Sequence, residues 1–163
     1  MPKCARQTAG GFSLIELLIV VAIILIIAAI AIPNFMRSKI AANQASAVES
    51  LRAINTADVT YASTFNVGFS AMLAYLGPPT SGNPNSLAAG LLDSLVASGV
   101  KSGYAFVYSS SAPDPSGKIN AYEVTSTPTS SSVGTIFYFT DQSGVIRQNA
   151  TAVAGSTDSP IAG

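Results

Sequence analysis

The sequence predicts an α+β protein, one long N-terminal helix laid on a small antiparallel sheet, and three features carry that prediction. An unbroken apolar run lies near the start. A helical apolar pattern follows it, and aromatic and β-branched segments between turn residues fill the last third. The run from Phe12 to Ile32 has 21 residues, of which only Ser13 and Glu16 are polar. At 1.5 Å per residue such a helix measures about 32 Å, enough to cross a bilayer's hydrocarbon core. It is apolar on every side and so has no face for water. Glu16 contradicts that pattern, because an ionised carboxylate inside such a segment is costly and needs a partner or a function.

Beyond Ile32 the character changes. Pro33-Asn34 interrupts the run, and a proline there removes one backbone hydrogen bond and can kink or loosen the helix. Arg37 and Lys39 mark the water side. Ile40, Val48, Leu51, Ile54, Tyr61 and Phe65 then recur at helical spacing, with Gln44, Glu49, Arg52 and Asn55 opposite them. This half is expected to lay its apolar stripe on a globular domain, with Asn66 and Gly68 as terminators.

The region from 66 to 103 reads as a connector. Ser70 to Leu76 suits a helical turn ended by Gly77-Pro78-Pro79, and Thr80 to Asn85 an exposed loop. Ser86 is expected to cap a short helix that buries Leu87, Leu91, Leu92, Leu95 and Val96 and stops at Ser98-Gly99. Asp93 reads there as a solvated carboxylate on the helix face. After it, Tyr104–Tyr108, Ile119–Ser126, Val133–Thr140 and Val145–Arg147 suit strands. In the second of these, Ile119 and Ala121 compete with Tyr122 and Val124 for the inner face. Pro113 to Gly117 and Asp141 to Gly144 are the turn sequences, and the tail from Ala150 is small, polar and loosely ended.

Composition narrows the function classes. Of 163 residues only 10% are charged, with eight basic against eight acidic side chains, so no basic face for nucleic acid is expected. There is no histidine, and the sole cysteine is Cys4. Serine–histidine and cysteine–histidine arrangements and a His/Cys metal cluster are therefore out of reach, and no Walker-type glycine loop occurs. The acidic residues are scattered, so neither an enzyme, a cofactor nor a metal site is expected. Asn149-Ala150-Thr151 is a glycosylation sequon, and Ser109–Ser111 and Ser130–Ser132 are hydroxyl runs, all of which suit polar loops. The aromatic residues, 6 Tyr and 7 Phe, raise the idea of a conducting assembly, but most fall where strands and the helix stripe need core.

Residues 1–11 are short, polar and basic at Lys3 and Arg6, which favours a cytoplasmic location for them. A secretory signal would be cut after its apolar region, whereas an uncleaved anchor would leave Glu16 unexplained. Gly11-Phe12-Ser13-Leu14-Ile15-Glu16, fused to the apolar run, resembles the processing site of type IV prepilins and of type II secretion pseudopilins. The resemblance implies that a membrane prepilin peptidase cuts between Gly11 and Phe12 and methylates the new amine of Phe12. It also implies that Glu16 pairs with the Phe12 amine of a neighbouring subunit during assembly, and that Pro33 is the helix-interrupting proline of type IVa pilins. Loss of Lys3 and Arg6 would leave six basic against eight acidic side chains. Cys4 would leave too, so the disulfide that closes the C-terminal loop of many type IVa pilins is not expected. Tyr138 to Arg147 resembles the closing hairpin of pilin-like proteins.

The implied organisation is a leader at 1–11, a membrane and assembly helix at 12–33, an amphipathic half at 34–65 and an α/β head at 66–163. The implied role is a structural homo-oligomer: stored in the inner membrane with its leader cytoplasmic, it would be built into a surface filament by an assembly platform and ATPase. Adhesion, twitching motility or DNA uptake would follow from the filament. The alternative is a type II secretion pseudopilin, in which Asp114 or Asp141 could serve calcium. A third reading, a membrane-anchored binding or catalytic domain, lacks a polar constellation.

Overall fold

A computed structural model of the chain describes residues 11–161. They fall into two compact units, the first ending at Arg37 and the second beginning at Ser38. The first unit is helical from Leu14, and this helix, α1, runs Leu14–Phe65 without a break at Pro33. Its most apolar 18-residue window has mean hydropathy 3.3 and none of it is buried within the chain, so it is long and apolar enough to cross a membrane.

The second unit is an α+β body. After α1 come a 3-10 turn at Leu73–Leu76, α2 at Ser94–Ala97 and six strands. The strands are β1 Val100–Lys101, β2 Tyr104–Ser110, β3 Tyr122–Pro128, β4 Phe137–Asp141, β5 Arg147–Asn149 and β6 Ser159–Pro160. They form one antiparallel meander in chain order. Register places Phe106, Ser126 and Tyr138 in one row and Tyr108, Val124 and Thr140 in the next. These rows make the inner face. Ala47, Leu51, Ile54 and Tyr61 of α1 bury into the same core as Tyr104, Phe106, Tyr122, Val124 and Tyr138.

The predicted stripe therefore forms, but its flank differs. Asn55, expected on the far side, joins the interface: Nδ2 donates to Thr140 Oγ1 at 2.9 Å, and Tyr122 OH donates to Oδ1 at 3.0 Å. The inner face needs this, because buried hydroxyls must find partners. The aromatics pack as expected, with Tyr108 stacked on Tyr122 at 5.6 Å and Phe69 edge-on to Tyr122 at 4.8 Å.

Several boundaries move for identifiable reasons. The helix expected from Ser86 is only α2, capped by Asp93 rather than Ser86. Gly90 takes a left-handed φ of +69°, and Asn85 and Ala88 exchange backbone hydrogen bonds, which together exclude a helix there. Leu87 and Leu95 are exposed as a result. Asp93 is thus no bystander on a helix face: its Oδ1 accepts from Leu95 and Val96 N–H, and Lys101 Nζ reaches Oδ2 at 2.9 Å. Those N–H bonds, Val96 foremost, and the lysine hold its carboxyl below the usual range.

The second strand begins at Tyr122 rather than Ile119, because Ile119 is bonded to the loop after α1. Phe69 N–H donates to Ile119 C=O at 2.8 Å and Ile119 N–H to Val67 C=O at 3.2 Å. Tyr122 and Val124 win the inner face. The next strand begins at Phe137, since Val133 and Gly134 N–H close a turn onto Ser130 C=O. The tail, expected to end loosely, pairs instead: β6 lies along β5, and Ile161 packs against the core. Strands of two residues such as β1 and β6 leave no periodic trace in a sequence.

Gly68 has φ +81°, and a Cβ there would run into the Ile119 backbone. Gly68→Ala is expected to lower stability by about 2 kcal/mol or more, from left-handed strain plus that collision. Denaturant unfolding of the full chain in detergent micelles checks it.

Candidate functional site: the N-terminal segment

Gly11, Phe12 and Glu16, the residues of the expected processing and assembly site, lie at or just before the start of α1. Phe12 is 82% exposed, and the apolar side chains from Leu14 to Ile32 present themselves on all sides. Such a surface has no stable place in water. Ser13 precedes the first helical residue, and Leu17 N–H donates to Ser13 C=O at 3.2 Å. Glu16 turns back so that Ser13 N–H donates to its Oε2 at 2.9 Å. Ser13-Leu14-Ile15-Glu16 therefore makes the glutamate half of a capping box, with the carboxylate on one of the orphan N–H groups and at the positive end of the helix dipole. Sequence reasoning missed this role, although serine followed by glutamate three residues later was its signal. Oε1 has no hydrogen-bond partner among the described residues.

Gly11 lies just before the helix, and a Cβ there would meet nothing within 4 Å. Gly11, Phe12 and Glu16 are thus brought together within the first turn and the residues leading into it. Pro33 stands apart, two helical turns before the amphipathic stretch. Cys4, Lys3 and Arg6 lie outside the described residues.

The second unit offers little competing chemistry. A concavity of about 320 Å³ on the outer sheet face is lined by Ser109, Glu123, Asp141, Gln142 and Ser156 among others. Glu123 and Asp141 face each other in register. Among the described residues no three His, Cys, Asp or Glu side chains gather as a metal site. Asp114 is spent on its own turn, with Ser116 N–H, Ser116 OH and Lys118 N–H on Oδ1 and Asn120 on Oδ2. Those bonds, led by the serine hydroxyl, depress its pKa. Asp141 likewise accepts from Ser143 N–H and OH. In the sequon, Asn149 Nδ2 donates to Asp158 Oδ1 at 3.0 Å, while Oδ1 takes Thr151 and Ala152 N–H, so the amide is engaged on both atoms. Asp158 also accepts Gly155 N–H, and Arg147 donates to its carbonyl, which fastens the tail with polar bonds.

Comparison with known proteins agrees with this geometry. Residues 6–32 match the prokaryotic N-terminal methylation motif. The chain is 53% identical over 51 residues to the type IV major pilin protein PilA of Myxococcus xanthus, a match covering 31% of this chain and 23% of that protein. The matched stretch thus spans about a quarter of the curated relative's length. No solved structure matches significantly. The N-terminal segment of the chain is thus similar to that of a type IV major pilin and carries the N-terminal methylation motif.

Glu16→Ala is expected to remove about 1 kcal/mol of cap stabilisation. Amide exchange at Ser13 in micelles is then expected to speed up roughly fivefold, because 1 kcal/mol is about that factor.

Proposed function

We propose that the chain is the structural subunit of a type IV pilus, made as a prepilin with residues 1–11 as leader and polymerised through its N-terminal helix. The single observation that carries this is the fully exposed apolar segment that bears one carboxylate, Glu16, in its first turn. In the bilayer, lipid would cover that segment. In a filament, helices of other copies would cover it. Cleavage between Gly11 and Phe12 would put a methylated ammonium on Phe12, four residues from Glu16. While Oε2 caps the chain's own helix, Oε1 would take the Phe12 ammonium of a neighbour. In a water-excluded bundle that attraction is far stronger than in water, and it would set the axial register. Pro33 supplies a point where one helical hydrogen bond is missing, which would let the spine bend or loosen as subunits pack. The prepilin peptidase, an assembly platform and its ATPase would be the partners, with the inner membrane as the store.

A type II secretion pseudopilin, the alternative reading, would share this N-terminal chemistry. Mass spectrometry of material sheared from native cells separates them. An abundant chain beginning at N-methylated Phe12 in the sheared fraction is expected. The same N-terminus retained in the envelope would favour the pseudopilin, and an intact Met1 in native membranes would refute processing. Glu16→Ala is expected to abolish filaments while membrane insertion and the fold of the second unit persist. Normal filaments from that variant would remove Glu16 from the assembly mechanism.

A further inference from the structure

The buried residues of α1 are Ala47, Ser50, Leu51, Ile54, Ala57, Asp58 and Tyr61, and Asp58 is the one carboxylate among them. Asp58 occupies a core position and is wholly inaccessible to solvent. Its Oδ1 accepts Ser70 N–H at 3.0 Å and lies 3.2 Å from Tyr108 OH, whose one hydrogen is shared with Ser70 C=O at 3.0 Å. Ser70 OH in turn donates to Tyr108 OH at 3.0 Å. One oxygen thereby ties three pieces together: α1, the segment following it, and β2. Oδ2 is buried with no partner.

The groups that face Asp58 are all neutral near pH 7. Tyr61 comes from α1, Tyr108 from β2 and Tyr122 from β3, while the segment after α1 supplies Ser70, with Tyr75 beside Tyr61. The ion pairs among the described residues are Arg52–Glu49 and Lys101–Asp93, so no cation neutralises it. An unpaired buried charge is expensive, and a neutral acid is far less so.

We propose that Asp58 is a proton-operated latch: neutral, it holds α1, the Ser70 segment and β2 together, and ionised, it loosens that junction. Protonation places the hydrogen on Oδ2 and leaves both bonds at Oδ1 intact. Burial raises the pKa of the Asp58 carboxyl, and its bonds to Ser70 and Tyr108 offset only part of that rise. The sign follows. The folded chain binds more protons than the unfolded one between the ordinary aspartate pKa and the raised one, so stability falls as pH rises through that window. The penalty is absent below the ordinary value and complete above the raised one. This inference does not depend on the filament reading.

The test is thermal unfolding of the full chain in detergent micelles between pH 4 and 8, for the natural protein and Asp58→Asn. The amide keeps an acceptor for Ser70 and Tyr108 and cannot ionise. The natural chain is expected to lose on the order of 5 °C in Tm across that range. Asp58→Asn is expected to remove most of the loss and to match or exceed the natural chain at pH 8. Parallel pH profiles for the two, or no loss in the natural chain, would overturn the latch. Should the variant fail to fold, carboxyl carbon NMR of the natural chain decides: one aspartate titrating above the ordinary range supports the proposal, and none refutes it.

Discussion

The structure depends on one contact, the burial of a single α1 stripe against the inner face of a six-strand meander. A sheet with two-residue edge strands cannot stand alone in water, because its apolar face must be covered and its pairing is short. Ala47, Ser50 and Ala57 are the stripe's small buried members, while Leu51, Ile54 and Tyr61 supply the area. The inner face is not wholly apolar, however. Thr140 and Tyr122 present hydroxyls to it, and Asn55 answers both. Apolar contact thus gives the sheet its cover, and Asn55 fixes how the helix is turned on it.

Much of this was legible in the sequence, for reasons of periodicity. Leu51, Ile54 and Tyr61 repeat at helical spacing over several turns, which admits little else. Tyr104 to Tyr108 and Phe137 to Phe139 are too aromatic for an exposed loop. What was not legible depends on contacts distant in sequence. Ile119 looks like strand but is claimed by Val67 and Phe69. The leucines from 87 to 95 look like a helix until Gly90 adopts a conformation no helix contains. Asp58 could have been found from its spacing to Ile54 and Tyr61, since a carboxylate in a core stripe is an anomaly. Classing it with scattered acids hid that.

The tail shows a different kind of gap. Composition made residues 150–163 look unstructured, and a sequence with one cysteine has no internal disulfide to fasten them. The structure fastens it with Asn149, Arg147 and Asp158, and buries Ala154 beneath it. Phe139 points away from the helix, between Thr125 and Arg147 in register, yet it too is buried. Thus the sheet has a second, smaller covered area on its outer side. Polar side chains that close a loop give less than a covalent bond would, but they require no oxidising compartment.

The same economy applies to Glu16. A carboxylate in a membrane-length apolar helix would ordinarily be selected against, unless its charge had somewhere to go. Within one chain the cap gives it Ser13 N–H and the helix dipole, so the monomer tolerates it. That arrangement uses one oxygen and neutralises nothing. Oε1 is left open to a further partner. Cleavage after Gly11 would create a cation at Phe12, and a neighbour's would arrive wherever two of these helices come side by side. A residue that is tolerable alone and favourable in company would make polymerisation specific rather than a mere collapse of apolar surfaces, since apolar contact by itself fixes no register.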